Sequence, residues 1–392
     1  MKYDFETRVN RNNIGNMKSE WFTPHNVKEA GMVSFSGAEF EFKTAKPVID
    51  AVKAYVENGL FGFTIADDNY LSHVVWWLKE VRNISVKPEW IVPVQGTIFS
   101  VATAIRLFTD EGDNVIIPTP GYNRYSQAAS RLKRGSVFSP CREINGVPEV
   151  DIDNLEQCMS DPKSKLLVLC NPNNPTGQII GEEKLKAVFT LAEKYGVAVI
   201  SDEIFADVVF DGYHVPMASL LADGANVISV ISLGKTFSFT GVNNAIAIIP
   251  DPVLRERYIT QRNADHFGSI EPAAYAALCG GFTPEGKEWL EELIQVIDSN
   301  DRKIIDFFHR VLPQVSIVKP MGTYVLWADF SSLGMSEHQL RNFFLNEALF
   351  CCDMGEEYYG KPCQARICTA VPPHELDRSL SVFEDAVNRC LK

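Results

Sequence analysis

Six short apolar runs, rich in β-branched residues, recur through the middle of this chain at residues 91–94, 114–117, 165–169, 197–200, 227–231 and 245–249. Runs of this kind read as strands buried on both faces, as in a mostly parallel sheet covered by helices. The intervening segments support that reading. Ile98, Val101, Ile105 and Phe108 recur at helical spacing after Gly96-Thr97, and Leu185, Val188, Leu191 and Ala192 do so farther on. Both segments read as crossover helices with one apolar face. The expected fold class is therefore α/β.

Beyond about residue 282 the pattern changes. Helices are predicted over 284–311 and 336–348, with strands over 315–318, 323–329 and 364–369, which describes a smaller α+β domain. The first 45 residues carry few periodic apolar positions and are expected to form an arm packed on the C-terminal lobe or on a partner subunit. The expected division is thus an arm over 1–45, a large domain over 46–282 and a small domain over 283–392. A length of 392 residues with 46% hydrophobic and 22% charged residues supports cores of this size without metals or disulfides.

A net charge of -13 opposes nonspecific binding to nucleic acid or anionic lipid. Nine cysteines form no CxxC pair, and the histidines do not fall at zinc-like spacings near them, so no metal site is expected. The vicinal pair Cys351-Cys352 reads as packing. The N-terminus lacks the apolar stretch of a signal peptide and no apolar run approaches the ~20 residues that span a bilayer. A reducing cytoplasm is the expected location, with no membrane contact.

Several of the strand-like runs end in residues with chemistry to offer. Lys235 follows the run 227–231, and its amine can form a Schiff base with an aldehyde; alone, it would read as a surface lysine. Asp202 closes the run 197–200 at the edge where open α/β sheets bind ligands, and a carboxylate there can keep a pyridine nitrogen protonated; alone, it would read as a helix cap. Asn174, in the turn Asn171-Pro172-Asn173-Asn174-Pro175-Thr176-Gly177, offers an amide to a ring oxygen, or is simply a turn residue. Gly96 and Thr97 begin a helix whose free N–H groups suit a phosphate, or an ordinary cap. Tyr122 can stack on a flat ring or pack in a core. Arg366, a lone charge in a strand-like segment, suits a two-pronged grip on a carboxylate; an edge-strand salt bridge is the plainer reading.

The order Asn-Pro-x-Asn-Pro-x-Gly, Asp202-Glu203-Ile204 and Ser232-x-x-Lys235-Thr236-Phe237 resembles the fold-type I pyridoxal phosphate enzymes, the aminotransferase class I/II superfamily, over nearly the whole chain. Within that superfamily the chain most resembles the cystathionine β-lyase-like carbon–sulfur lyases. The carrying features are the arm around Asp4, Arg8 and 15–21, Ala38-Glu39-Phe40-Glu41-Phe42, Phe61-Gly62-Phe63-Thr64, Gly241 and the late Arg366.

The resemblance implies pyridoxal 5'-phosphate as cofactor. It implies Lys235 as the Schiff-base lysine and later the base for the Cα proton, Asp202 on the pyridine nitrogen, Asn174 on the ring oxygen and Tyr122 stacked on the ring. Gly96, Thr97 and Ser232 would hold phosphate and Arg366 the carboxylate of an amino acid substrate. A homodimer with the active site at its interface is implied as well. The chain departs from the family pattern at Phe205, where His or Tyr is usual, at Gly234 in place of a second Ser, at Gln178 in place of Arg and at Phe63 in place of a partner-subunit Tyr. Losing three or so neutral hydrogen bonds at about 1 kcal/mol each is tolerable when a covalent imine and ring burial supply much of the binding.

Two reactions use such a core equally: β-elimination of a thiol from a cysteine-type amino acid, yielding pyruvate and ammonia, and amino-group transfer to a keto acid. The arm motifs favour the carbon–sulfur lyase. A noncatalytic regulator that retains the fold is a third reading, supported by the departures alone and opposed by the joint retention of Lys235, Asp202, Asn174, Tyr122 and Arg366.

Overall fold

In the computed structural model, residues 1–144, 146–210, 212–220, 226–265 and 267–391 are described. Thirteen strands follow in chain order: β1 (Ile91–Val94), β2 (Asn114–Thr119), β3 (Gly135–Pro140), β4 (Arg142–Ile144), β5 (Val147–Glu149), β6 (Ser164–Cys170), β7 (Ala198–Asp202), β8 (Val227–Ile231), β9 (Ala245–Ile248), β10 (Ser316–Val318), β11 (Val325–Asp329), β12 (Asp353–Met354) and β13 (Gln364–Cys368). Seven of them form one sheet in the order β1-β9-β8-β7-β6-β2-β3. The pairs β2/β3, β2/β6, β6/β7 and β7/β8 are parallel, while β9 runs against both β8 and β1.

The uninterrupted apolar runs have a physical cause in this sheet. Along β6, Leu166 and Val168 face a core that holds Val101, Ala104 and Ile105 of the helix Thr97–Phe108. Leu167 and Leu169 face the opposite core, with Leu185, Val188 and Ala192 of the helix Glu182–Tyr195. Both faces are covered, so every position must be apolar. At the sheet edge β3 is only partly covered, which is why no such run marks it.

The second sheet has the order β10-β11-β13-β12 and is antiparallel throughout. Its core gathers Ile304, Phe307, Phe308 and Val311 of the helix Pro284–Val311 with Leu380, Phe383 and Val387 of the helix Pro373–Cys390. Phe383 sits at the centre, with its ring edge-on to Phe307, Phe308, Phe343 and Phe350 at centroid distances of 5.3–5.9 Å. The predicted helix 336–348 is α-helical over Glu337–Asn342 and widens to a π turn over Phe343–Glu347. The helix Pro284–Val311 serves two cores: its first half places Trp289, Leu290 and Leu293 against Trp77 and Phe237 below the larger sheet.

The N-terminal segment is built into this second core more deeply than its weak periodicity suggests. Phe35 stacks on Phe350 at 4.3 Å, its backbone N–H donates to the Cys351 carbonyl, and its own carbonyl accepts from Cys368. The segment also enters the core beside the larger sheet, where Phe5 and Phe40 meet Trp289 and Phe42 packs against both of them. Anchoring of this kind comes from aromatic residues spaced irregularly along an extended chain, which no periodicity reveals. All nine cysteines, the vicinal pair included, are free thiols. Among the described residues no helix is long and apolar enough to cross a membrane.

Candidate active site

The topology brings the sequence motifs to one edge. Strands β2, β6, β7 and β8 are parallel, and β1, antiparallel to β9, runs in the same direction as β8. Their carboxyl ends therefore open on a single crevice, the usual ligand site of such sheets. Gly96 and Thr97 follow β1, Tyr122 follows β2, Asn174 follows β6, Asp202 ends β7, and Ser232 and Lys235 follow β8.

Lys235 lies in the one-turn helix Leu233–Thr236, whose first N–H groups are capped by Ser232. Asp207 fixes this turn from below. Its carboxylate accepts from Thr236 Oγ1 at 2.6 Å, from Arg82 Nε at 2.5 Å and from Trp77 Nε1 at 3.1 Å. Lys235 Nζ donates to the Ala38 carbonyl at 3.0 Å and lies 5.6 Å from the centre of the Phe205 ring. Among the described residues no carboxylate forms an ion pair with it. Burial, reinforced by the nearby Arg366 guanidinium, pushes its pKa down to about 8. The amine thus gives up its proton far more readily than a solvent-exposed lysine, which brings the neutral form that a nucleophile or base requires within reach.

Asp202 is 1% exposed. Its Oδ2 accepts from Tyr125 Oη at 2.5 Å and its Oδ1 from the Ile204 backbone N–H at 3.2 Å. Desolvation nevertheless raises its pKa to about 6. A buried carboxylate in this state is stabilised by a cationic donor, and a protonated pyridine nitrogen is such a donor.

Arg366 is not the lone charge that its strand suggested. It lies in β13, between β11 and β12, and is 3% exposed. Its Nε and Nη2 both donate to Asp353 Oδ2, directly across the β12/β13 pair, and its Nη1 donates to Asn174 Oδ1 at 2.9 Å. The face of the Tyr358 ring covers the guanidinium at 4.5 Å. Three of the five N–H groups of an arginine are thereby committed, leaving two for a further carboxylate. Because Asn174 accepts through its oxygen, its NH2 group remains the donor, as a ring oxygen requires.

Gly96 adopts φ +153°, ψ 169° as the N-cap of the helix Thr97–Phe108, and nothing lies within 4 Å of the place where a Cβ would stand. Only glycine adopts this conformation readily, and the open space admits an anion to the helix N-terminus. Ser232 is less available than its position suggested. Its hydroxyl donates to the Asn244 carbonyl at 2.8 Å and accepts from the Gly234 N–H at 2.9 Å. Tyr122 is half-buried, with its ring perpendicular to that of Tyr125 at 5.6 Å.

Of the positions that depart from the family pattern, Phe205 is buried against Tyr324 at 5.2 Å and Phe63 is fully exposed. Gln178 Nε2 donates to the Lys319 carbonyl at 2.9 Å, and Gly234 has the Ser232 hydroxyl 3.1 Å from the position of a Cβ. Sequence reasoning missed Tyr125, Asp207, Arg82 and Asp353. Each acts across strands or helices distant in sequence, and their residue types alone carry no signal. Taken together, a half-buried amine with no carboxylate partner, a buried carboxylate lacking a cation, an amide donor and a glycine-opened helix N-terminus fit pyridoxal phosphate.

Comparison with known proteins agrees with the geometry. The sequence matches the family "Aminotransferase class I and II" over residues 32–383. It is 30% identical over 323 residues to the cystathionine β-lyase PatB of Bacillus subtilis, covering 82% of this chain and 83% of that protein. An aspartate aminotransferase of Pyrococcus horikoshii is 26% identical over 327 residues, 82% of this chain and 81% of that protein. Cystalysin from Treponema denticola, whose crystal structure contains pyridoxal 5'-phosphate, superposes over 100% of both chains with a TM-score of 0.94 at 30% identity. The chain belongs to the aminotransferase class I and II family and, within it, is a fold-type I pyridoxal phosphate enzyme of the cystathionine β-lyase-like subgroup.

Proposed function

We propose that this enzyme is a cystathionine β-lyase-like carbon–sulfur lyase that converts a cysteine-type amino acid and one water to a thiol, pyruvate and ammonia. The observation that carries the reading is the likeness to cystalysin over the whole chain and to a cystathionine β-lyase over 82% of it, both at 30% identity. Pyridoxal phosphate, when bound, supplies the electron withdrawal that makes the substrate Cα proton removable. The remaining work falls to the chain. Arg366, already oriented by Asp353 and Asn174, holds the α-carboxylate with its two uncommitted N–H groups. Lys235 Nζ takes the proton from Cα, and the Cβ–S bond breaks with its electron pair leaving on sulfur. Asp202 would hold the ring-nitrogen proton, Asn174 would donate to the ring oxygen, and Tyr122 would cover the ring. The backbone N–H groups at Gly96 and Thr97 would hold the phosphate, with Ser232 beside them once its hydroxyl turns from Asn244.

The same groups serve amino transfer, and the likeness to an aspartate aminotransferase keeps that as the second reading. We place the division of the chain at 1–45, 46–282 and 283–392. We also propose a homodimer, supported by the exposure of Leu60, Phe61, Phe63 and Ile65, large apolar side chains close together in sequence. Nine free thiols support a reducing cytoplasm.

The deciding experiment supplies the purified holoenzyme with L-cystathionine or L-cystine and no keto acid. Sustained release of pyruvate and ammonia is expected. Turnover that appears only when a keto acid is added would make the enzyme an aminotransferase, and no turnover in either case, with no imine absorption, would favour a noncatalytic role.

A further inference from the structure

The helix Arg124–Arg131, which follows β2, carries in its first turn a buried group that the reaction above does not use. Tyr125 is 2% exposed, and its hydroxyl donates to Asp202 Oδ2 at 2.5 Å. The phenol is held on several sides. The Tyr122 ring meets it edge-on, and Ala128 and Ala129 of the same helix share its core with Val168 and Ile200. Cys170 stands beside it, paired Cα to Cα with Asp202 across β6 and β7. Burial pushes the ionisation of the phenol far above its usual value, so the hydroxyl keeps its proton and donates throughout the physiological range.

We infer that Tyr125 is a positioning residue for Asp202: its hydroxyl fixes the rotation of the carboxylate and favours its charged form, so that a ring nitrogen meets an anionic acceptor in a set place. This rests on the assignment of Asp202 to the pyridine nitrogen. The physical argument is that a carboxyl this deeply buried tends to retain its own proton, while a fixed donor stabilises the ionised form. The titratable groups facing Asp202 are Tyr125 from its helix, Cys170 from β6 and Lys235 from the turn after β8. Of the three, Tyr125 is the one whose side chain donates a hydrogen bond to the carboxylate.

The test compares wild type, Tyr125→Phe, Asp202→Asn and the double variant, each as apoprotein and with pyridoxal phosphate. Phenylalanine keeps the ring packing and removes only the donor. In the apoprotein the raised folded-state pKa of Asp202, about 6, means that stability falls as pH rises toward that value and levels off above it. Without the donor the levelling-off moves to higher pH. The melting-temperature gap between wild type and Tyr125→Phe is therefore expected to widen from pH 6 to pH 8, and to be independent of pH in the Asp202→Asn background. Pyridoxal phosphate should dissociate about tenfold more readily from Tyr125→Phe, the usual effect of losing a hydrogen bond to a charged group. A pH-independent gap, an equal widening in the Asp202→Asn background, or an unchanged cofactor dissociation constant would each overturn the inference. If wild type itself fails to take up pyridoxal phosphate, the functional reading falls, while the apoprotein comparison still decides whether Tyr125 governs Asp202.

Discussion

Asp301 offers a test of the fold that is independent of catalysis. It lies in the helix Pro284–Val311, is 3% exposed, and both its carboxyl oxygens are buried without a hydrogen-bond partner. The adjacent Asn300 Oδ1 and Thr369 Oγ1 are similarly unpaired. Burial pushes the Asp301 pKa well above the ordinary range; the Thr369 hydroxyl nearby opposes the shift and the Asp298 charge adds to it. The folded protein therefore holds a proton that the unfolded chain releases near pH ~3.9. Since the folded-state pKa is the higher one, stability is greatest at low pH and declines as pH rises toward it. Wherever the folded carboxyl keeps its proton and the unfolded one has lost it, the decline is at most about 1.4 kcal/mol per pH unit. Asp301→Asn has no such proton to bind and is nearly the same shape. Urea denaturation followed by tryptophan fluorescence at pH 5, 6 and 7 should show the variant gaining on wild type as the pH rises, by at most about 1.4 kcal/mol per unit. Parallel stability profiles for the two proteins would mean that Asp301 is charged in the folded state, and the reasoning from burial would be refuted.

Two further outcomes follow from the site. Lys235→Ala should abolish the visible imine band on addition of pyridoxal phosphate, read by absorption spectroscopy; a band that survives would assign the Schiff base to another lysine. Arg366→Lys keeps a positive charge for Asp353 but loses the planar fork, so KM for the amino acid should rise on the order of tenfold or more while the melting temperature changes little. An unchanged KM would remove the α-carboxylate from Arg366.

The parallel core of the larger sheet was legible because burial on both faces demands uninterrupted apolar runs, as over 166–170 of β6 and 198–200 of β7. The edge strand β3 and the hairpin β4/β5, with exposed or half-exposed positions, carry no such mark. The helix Pro373–Cys390 also went unread, although Leu376, Leu380, Phe383 and Val387 line one face of it. The arm was recognised as a packing segment, but its anchors Phe5, Phe35 and Phe40 find partners more than 200 residues away, a separation that local pattern cannot register.

The site divides along the same line. The positions of residues that end strands, such as Asp202, and of those just after strand ends, such as Gly96, Asn174 and Lys235, were readable because crossover helices between the runs imply parallel strands, and parallel strands bring their carboxyl ends to one edge. The environments of those residues were decided only by tertiary structure. Asp353 turned Arg366 from a lone charge into a shared one, Asn244 occupied the Ser232 hydroxyl, and Tyr125 reached Asp202 from another element. The sequence by itself determined which chemical groups this protein has and on which edge of the sheet they gather. Their charge, orientation and freedom to bind depend on desolvation and on hydrogen-bond partners within about 3 Å, and those are properties of the packed chain alone.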